Sequence, residues 1–386
     1  MAISTERTVR DVLVSVIQGV ASDLGFSDPL GNVKDYPIEF HSEEKIPEYL
    51  RDRAKKMLDR LNRMAKLGGY SSEFETISRY VETITSIPWG KETKDTLDLK
   101  HAKEILDQNH YGLEDVKERI LEYLSVVTLR KERSNNTQNT SQKNDYHAPI
   151  LCLVGLQGIG KTTMAASIAE TLGREFIRIS LGATGSILEI RGQSKALPDA
   201  EPGQIIKSLI RTKVMNPLIL LDEVDKASGE RGLRTDIMAA LLEILDPEQN
   251  TSFRDHYIDF PINLSSVLFV CSANNTGTFS TALSDRLEII RMPAYTDEQK
   301  EVIAKTYLFN RVVENSGLTN SDIQMSDEIW PLLIRPLGFD TGIRSLRRNI
   351  ETIVRKVAKE KIEGKKETTV ISKENIKKYL PDYIGN

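Results

Sequence analysis

One short stretch, residues 155–162, constrains the fold of this 386-residue chain more than any other. It reads Gly-Leu-Gln-Gly-Ile-Gly-Lys-Thr and stands between the apolar run 150–154 and the helix-forming run 163–169. A strand, a glycine-rich turn and a helix in this order are typical of a loop whose backbone N–H groups close on a polyphosphate. Lys161 is then expected to reach the β- and γ-phosphates, and Thr162 to offer its hydroxyl to Mg²⁺. The alternative is a chance match to this pattern in a surface turn. It would not account for the strand-like run before the loop and the helix-forming run after it.

Apolar, strand-like runs alternate with helical segments from residue 150 to about residue 292. The runs are 150–154, 176–181, 218–221, 267–271 and 287–292. Such alternation predicts parallel strands joined by helical crossovers, with helices on both faces of the sheet. We therefore expect an α/β fold with a five-stranded parallel sheet, and assign it to residues 91–292.

Helical patterns precede this region. Apolar residues at helical spacing predict helices near residues 9–24, 50–61 and 74–84, which we expect to form an all-α bundle over residues 1–90. The charged face of the second helix is either a basic contact surface or, by default, a solvated face. Asp98 is expected to cap a short helix, and the polar run 130–145 to form a mobile linker.

Helical patterns also follow the predicted sheet, and they predict a small, wholly helical lid domain over residues 293–386. Residues 296–299, Thr-Asp-Glu-Gln, match a capping box at the start of its first helix. Ser326 is expected to cap a second helix, and residues 343–362 are expected to form a third.

The overall charge and the two cysteines narrow the classes of function. A formal net charge of −4 gives no global positive field, so the electrostatics do not indicate nucleic acid as a partner. Cys152 and Cys271 both lie in apolar runs, which predicts buried free thiols in a reducing compartment. No apolar stretch approaches the roughly 20 residues of a membrane-spanning helix. We therefore expect an intracellular protein without a membrane segment.

Polar side chains follow two of the predicted strands. Asp222 and Glu223 come directly after the run 218–221, and Asn274 follows the next run along the chain. Because the carboxyl ends of parallel strands meet at one edge of a sheet, these side chains are expected to lie beside the phosphates. Asp222 is a candidate for holding Mg²⁺ through water, and Glu223 for orienting and deprotonating the attacking water. Asn274 can hydrogen-bond that water or the γ-phosphate, and solvated turn residues are the alternative for all three.

Two arginines are candidates for stabilising the transition state. Arg286 lies just before the last predicted strand, and Arg344 opens the last long helix. Arg286 can pair with Asp285 or Glu288 in its own chain, or it can reach the γ-phosphate of a neighbouring subunit. A single arginine does not decide between these possibilities.

Longer motifs resemble those of the AAA+ ATPases and, within them, those of the Lon protease family, including its peroxisomal branch. Outside the phosphate loop the resemblance rests on residues 110–114 (His-Tyr-Gly-Leu-Glu), 117–123, 216–226 and 240–250. The last stretch, Ala-Leu-Leu-Glu-Ile-Leu-Asp-Pro-Glu-Gln-Asn, is particular to Lon-like chains. The resemblance covers nearly the whole chain.

This resemblance implies a role for each candidate residue. It makes residues 155–162 the Walker A motif, Asp222 and Glu223 the Walker B pair, Asn274 sensor 1, Arg286 the arginine finger and Arg344 sensor 2. The implied catalytic residues are Glu223, Asn274, Arg286 and Arg344, and the implied metal ligands are Thr162 and Asp222. The implied nucleotide-binding residues are Tyr111 and Gly112 near the adenine, Gly155, Leu156, Gln157, Gly158, Ile159, Gly160, Lys161, Thr162, Thr163 and Arg344.

Members of this family form hexameric rings that hydrolyse ATP, unfold proteins and pass them to a serine–lysine peptidase domain. The resemblance thus implies ATP and Mg²⁺ as cofactors, misfolded or regulatory proteins as substrates and a homo-hexamer. The charge and hydropathy described above indicate neither a membrane nor nucleic acid as a partner. Residues 380–386 resemble the junction with the peptidase domain. Residues 9–25 resemble the end of the long helix that follows the family's N-terminal substrate-binding domain. Both domains are therefore expected outside this chain, which is then either a fragment or a naturally reduced relative, with the peptidase acting in cis in a longer parent or in trans. The expected compartment is a peroxisomal or mitochondrial matrix, or a bacterial cytoplasm.

The sequence departs from the family at the loop formed by residues 190–199. Family members carry an aromatic residue followed by an aliphatic one where this chain has Leu197 and Pro198. Leucine offers an extended substrate less apolar contact area than an aromatic ring does. ATP-driven protein translocation is the first hypothesis, and a nucleotide-dependent assembly or chaperone-like protein without effective translocation is the second. A DNA-directed AAA+ protein such as a clamp loader is the third, which the acidic balance disfavours.

Overall fold

The computed structural model describes residues 46–66, 72–136, 150–183, 185–197, 199–227, 233–334, 342–364 and 367–380. The helix predicted near residues 9–24 lies outside these ranges. The strands are β1 (Ile150–Val154), β2 (Phe176–Ser180), β3 (Leu218–Asp222), β4 (Phe253–Arg254), β5 (Pro261–Ile262), β6 (Leu268–Ala273), β7 (Leu287–Arg291), β8 (Ile323–Met325) and β9 (Thr369–Ile371). Among the described residues, no helix is both long and apolar enough to cross a bilayer.

The helices flank the strands along the chain. They are α1 (Glu48–Lys66), α2 (Ser72–Ser86), α3 (Leu99–Asn109), α4 (Glu114–Asn136), α5 (Lys161–Leu172), α6 (Ile187–Arg191), α7 (Gln204–Thr212), α8 (Val224–Ala227), α9 (Leu233–Leu245), α10 (Thr281–Ser284), α11 (Asp297–Ile303), α12 (Phe309–Asn315), α13 (Trp330–Ile334), α14 (Arg344–Ile362) and α15 (Ile376–Tyr379). A π-helical turn, Ala304–Leu308, joins α11 to α12.

The predicted five-stranded parallel sheet is confirmed. Its strand order is β2-β3-β6-β1-β7, so the strand that feeds the glycine-rich loop lies inside the sheet. The register pairs Ser180 with Asp222 and Val154 with Ala273. The carboxyl ends of these strands are therefore level, and the residues that follow β1, β3 and β6 emerge at one edge.

Two apolar cores cover the two faces of the sheet. Leu218 and Leu220 pack in the core on the α5 face, whereas Ile219 and Leu221 pack in the core on the opposite face. A central parallel strand needs apolar side chains on both faces, which explains the uninterrupted apolar run before Asp222. The predicted buried free thiols are confirmed, because Cys152 on β1 and Cys271 on β6 are register partners in this interior. Burial raises the pKa of Cys152 to about 12.

Helices α1 and α2 pack against the α/β region as well as against each other. Leu50 and Tyr80 share a core with Ile219 of the sheet. The hydroxyl of Tyr80 donates a hydrogen bond of 2.8 Å to the carbonyl oxygen of Ile258. The second and third helices of the predicted bundle are thus present, while the domain boundary at residue 90 stays a prediction.

The segment before the sheet differs in one respect from the sequence interpretation. Asp98 caps α3 as predicted, because its carboxylate accepts from the N–H groups of Lys100 at 2.8 Å and His101 at 3.4 Å. The mobile linker predicted from residue 130 is wrong for residues 130–136, where α4 continues. Lysine, glutamate and arginine are good helix formers, so a polar run does not by itself exclude a helix. The rest of the predicted linker lies outside the described residues.

The lid region is mainly helical, and the Thr296 capping box is confirmed by reciprocal hydrogen bonds with Gln299 of 3.0 and 3.3 Å. The third predicted helix corresponds to α14. Ser326 holds the N-cap position of the second helical segment, but its side chain makes no capping hydrogen bond. A wholly helical lid is wrong, because β8 and β9 pair in parallel. Strands of three residues are too short to show a period of two in the sequence.

Candidate nucleotide-binding site

The glycine-rich loop links β1 to α5 and leaves the helix N-terminus open. Gly158 and Gly160 have φ angles of +81° and +97°, a region that side-chain-bearing residues rarely adopt. Gly160 is the N-cap of α5, and no side chain caps the helix. The first N–H groups of the helix are therefore available to an anionic ligand, which the helix dipole also favours.

Lys161 places a cation at the mouth of this loop. Its Nζ donates hydrogen bonds to the carbonyl oxygens of Gly155 at 2.5 Å and Leu156 at 3.0 Å, and to Oδ1 of Asn274 at 3.1 Å. Burial lowers the pKa of Lys161. The predicted neighbours Lys161 and Asn274 are thus in direct contact, although they are far apart in the sequence.

Asp222 ends β3 and is almost completely buried, with 5% of its surface exposed. Its Oδ1 accepts a hydrogen bond from the hydroxyl of Ser272, and its Oδ2 lies 2.6 Å from Nε of Arg178. Ser272 also accepts a hydrogen bond of 3.2 Å from the N–H group of Glu223. The hydroxyl of Ser272 on β6 is therefore hydrogen-bonded to both members of the acid pair at the end of β3.

Glu223 has a φ angle of +62°, which is uncommon for a residue with a side chain. Such backbone strain is found preferentially at functional sites. Its carboxylate pairs with Nζ of Lys226 at 2.7 Å, one helical turn further on. The strained turn directs Glu223 into the same cleft as Asp222 and Lys161.

The cleft has a volume of about 420 Å³ and lies between the glycine-rich loop, the ends of β3 and β6, and the lid. Five described side chains that line it are cationic and two are acidic. The cations are Lys161, Arg178, Arg311, Arg344 and Arg347, and the acids are Asp222 and Glu223. A surplus of positive charge beside an open helix N-terminus fits a polyphosphate. Thr162 and Asp222, which also line the cleft, provide the oxygen donors that Mg²⁺ prefers.

The lid docks directly onto the glycine-rich loop. The N–H group of Ile343 donates to the carbonyl oxygen of Gly158 at 3.0 Å. A Cβ at Gly342 would lie 2.5 Å from the carbonyl oxygen of Gln157, so only glycine allows this approach. The contact brings Arg344, at the start of the last long helix, beside Gly158 of the loop. Its role as sensor 2 stays a prediction.

Arg286 does not line the cleft. Its guanidinium pairs with Oδ2 of Asp246 at 2.7 Å and donates to the carbonyl oxygen of Ala282 at 2.8 Å. The hydrogen bond from Arg286 lowers the pKa of Asp246. Its partner within the chain is therefore Asp246 rather than Asp285 or Glu288, which were the partners considered from the sequence. The role of Arg286 towards a neighbouring subunit stays a prediction.

Tyr111 and Gly112 are not among the residues that line the cleft. A Cβ at Gly112 would lie 3.4 Å from Nε2 of Gln299 on α11. His110, which precedes Tyr111, is buried and its Nε2 is hydrogen-bonded to Oγ of Ser167 on α5 at 2.9 Å. Burial, together with the charge of Lys117, lowers the pKa of His110 to about 4. The predicted contact of Tyr111 and Gly112 with an adenine stays a prediction.

Two family models match the chain. Residues 151–294 match the model described as "ATPase family associated with various cellular activities (AAA)". Residues 314–370 match the model described as "Lon protease AAA+ ATPase lid domain". The chain is an AAA+ ATPase module of the Lon family. Residues of both matched regions line the cleft described above.

Curated Lon proteases resemble this module over most of its length. The mitochondrial Lon protease homolog of Homo sapiens is 39% identical over 362 residues, which are 91% of this chain and 36% of that relative. Lon protease 1 of Bacillus subtilis is 39% identical over 383 residues, or 99% of this chain and 47% of that relative. The Lon protease of Halothermothrix orenii is 40% identical over 338 residues, or 88% and 41%. The chain thus spans less than half the length of these relatives.

Several residues of the Lon-family cleft were missed in the sequence analysis. They are Arg178, Ser272, Arg311, Asn315 and Arg347. Arg178 carried a signal that could have been used, since it is the only charged residue in the run Phe-Ile-Arg-Ile-Ser of β2. Arg311, Asn315 and Arg347 gave no such signal, because polar residues on a helix are the default outside face.

Proposed function

We propose that this module binds ATP with Mg²⁺ in the described cleft, hydrolyses it and uses the cycle to unfold and move protein substrates. The observation that carries the proposal is the convergence of Lys161, Asp222 and Glu223 at one edge of the sheet, opposite an arginine-bearing lid. ATPase and Lon-type relatives support it. The Lon family assignment favours a protein-directed function over the clamp-loader hypothesis.

The cleft residues with a role in this proposal are Lys161, Thr162, Asp222, Glu223, Asn274 and Arg344. Lys161 and the open N-terminus of α5 bind the phosphates, and Thr162 with Asp222 would hold Mg²⁺. The ion, when bound, neutralises charge on the phosphate oxygens. Glu223 accepts a proton from the attacking water after its carboxylate leaves Lys226, and Asn274 orients that water. Arg344 supplies positive charge from the lid.

Assembly into a homo-hexamer is part of the proposal. In such a ring Arg286 would act on the γ-phosphate of the neighbouring subunit, and Asp246 would hold its guanidinium in place between subunits. Tyr111 and Gly112 would border the adenine. A peptidase activity, the identity of the substrates and the compartment stay predictions.

A specific feature also supports the second hypothesis, a nucleotide-dependent assembly protein without effective translocation. Leu197 is 52% exposed at the tip of the loop between α6 and α7. An isolated leucine gives a moving substrate chain less contact area than an aromatic ring. The second hypothesis therefore predicts ATP hydrolysis by this chain without unfolding of a substrate.

The test is to measure both activities on the purified chain at several protein concentrations. We expect release of phosphate from ATP, and ATP-dependent loss of fluorescence from a tagged, folded reporter protein. Hydrolysis without unfolding would support the second hypothesis. Absence of nucleotide binding at millimolar ATP would contradict both. Mass measurement of the assembly at each concentration distinguishes a chemical defect from a failure to form rings.

A further inference from the structure

Arg178 lines the cleft but has no role in the proposed function. It lies on the edge strand β2 and is the register partner of Leu220 on β3. Alternate residues of a strand share a face, so Arg178 and Asp222 lie on the same face of the sheet. Their side chains meet at 2.6 Å, where Asp222 ends its strand.

The two partners of this ion pair differ in exposure. The side chain of Asp222 is 7% exposed, whereas that of Arg178 is 48% exposed and lines the cleft. Guanidinium has five N–H donors in a planar fork, which is more than one carboxylate accepts. Donors of Arg178 are therefore available to a ligand in the cleft while the side chain stays at the end of β3.

The pair also has an electrostatic consequence. Both carboxylate oxygens of Asp222 already have donors, Ser272 on one and Arg178 on the other. A magnesium ion that approaches Asp222 would meet the positive charge of Arg178 nearby, and like charges at such distances repel strongly in a partly buried site. A triphosphate relieves this repulsion by offering Arg178 an anionic partner of its own.

We infer that Arg178 is a phosphate-binding arginine that acts in cis on the terminal phosphate of a nucleoside triphosphate. It neutralises Asp222 in the absence of nucleotide and contacts the terminal phosphate when the magnesium nucleotide binds. The terminal phosphate is specified because Asp222 adjoins Glu223, the proposed base, which marks this end of the cleft as the site of hydrolysis. The inference rests on the proposed function and adds to it a residue that distinguishes ATP from ADP.

A merely structural role for Arg178 makes a different prediction. If the guanidinium only balanced the charge of Asp222, its removal would change the stability of the fold or weaken all nucleotides equally. If it contacts the terminal phosphate, its removal weakens triphosphate binding selectively. The ratio of the two affinities therefore separates the roles, and it is measured at equilibrium without turnover.

The experiment compares Arg178→Met with Arg119→Met as a matched control. Arg119 is 45% exposed and pairs with Glu288 of β7, the opposite edge strand, at 3.3 Å. Fluorescent N-methylanthraniloyl derivatives of ADP and of the non-hydrolysable analogue AMP-PNP are titrated onto each protein with Mg²⁺. In Arg178→Met we expect AMP-PNP affinity to fall about tenfold and ADP affinity to change less than about twofold, since a charge-assisted contact is lost. Arg119→Met is expected to match the unaltered chain.

An unchanged ratio of affinities in Arg178→Met, or equal weakening of both nucleotides, overturns the inference and leaves the proposed function standing. Failure of the unaltered chain to bind either nucleotide overturns the proposed function as well. Arg178→Lys provides a second reading if Arg178→Met does not fold. It keeps the charge beside Asp222 but lacks the planar fork, so a selective loss of AMP-PNP affinity of about threefold is expected. No selective loss in the lysine variant then counts against the inference.

Discussion

The candidate nucleotide cleft and the loop that carries Leu197 both belong to the α/β region, but they are organised differently. In the cleft, every charged group at the sheet edge is held by neighbours, as Lys161 is by Asn274 and Asp222 is by Ser272. In the loop, the stem is held firmly while the tip is exposed. The charged groups of the cleft are thus positioned by the fold itself, whereas the tip of the loop exposes an aliphatic side chain, Leu197.

The stem of the loop is anchored from two sides. Asp255 is completely buried and accepts hydrogen bonds from the N–H groups of Gly203 at 2.7 Å, Tyr257 at 2.8 Å and Ile258 at 3.0 Å. Lys195 lies 4.7 Å above the ring of Tyr80 on α2. The position of the loop therefore depends on α2 and on the β4–β5 hairpin, while the chemistry of its tip depends on Leu197.

Glu223→Gln should produce the largest effect, a fall in the rate of ATP hydrolysis. It changes the cleft and leaves the loop that carries Leu197 untouched. The amide keeps the shape of the side chain but cannot accept the proton of the attacking water, so kcat for ATP hydrolysis should fall by about 10²- to 10⁴-fold. Affinity for ATP should stay within about twofold. Phosphate release and nucleotide titration measure the two quantities, and Glu122→Gln on the exposed face of α4 is the control. Unchanged turnover would remove Glu223 from the mechanism.

His110, which lies beside α5, should give the free energy of unfolding a pH dependence, the second-largest effect expected here. Its pKa is about 4 in the folded chain and 6.5 without burial, so the folded chain binds fewer protons than the unfolded chain between these values. The resulting stability is present above pH 6.5 and is lost as the pH falls towards 4. Between pH 8 and pH 5 the free energy of unfolding should fall by about 2 kcal/mol from this residue.

Urea unfolding of the unaltered chain and of His110→Gln at both pH values tests this expectation. Glutamine does not titrate, so the variant should lose about 2 kcal/mol less than the unaltered chain on acidification. His101→Gln, at an exposed position of α3, should behave like the unaltered chain. Equal losses in all three proteins would show that His110 does not carry the pH dependence.

Leu197→Tyr should have the smallest effect and tests the loop alone. A tyrosine at the exposed tip enlarges the apolar contact with an extended substrate, so ATP-driven unfolding of a tagged reporter should rise by about threefold. ATP hydrolysis without substrate should not change, because the tip does not touch the cleft. Leu188→Tyr on α6, which is 40% exposed in the unaltered chain, is the matched control. An equal gain in both variants would mean that general surface hydrophobicity, rather than the loop tip, grips the substrate.

Much of the cleft could be predicted because its residues are tied to local patterns. The glycine-rich loop is contiguous, and the apolar runs before Asp222 and Asn274 locate the ends of two strands. Parallel pairing then brings those ends together without further information. Arg178 required the register of an edge strand, and Arg311 and Arg347 required the docking of the lid. The pairing of Arg286 with Asp246 joined residues 40 positions apart, and no local pattern indicated it.

The sequence by itself determined the α/β class, the phosphate loop and the acid pair, because each depends on neighbours along the chain or on strand periodicity. Only the tertiary structure decided which cations face the acids, where the lid contacts the glycine-rich loop, and which groups hold the loop that carries Leu197. These features depend on contacts between segments distant in sequence, whose geometry is set by packing of the whole fold. The phosphate loop and the acid pair could therefore be predicted from the sequence, whereas the cations that face them across the cleft required the folded chain.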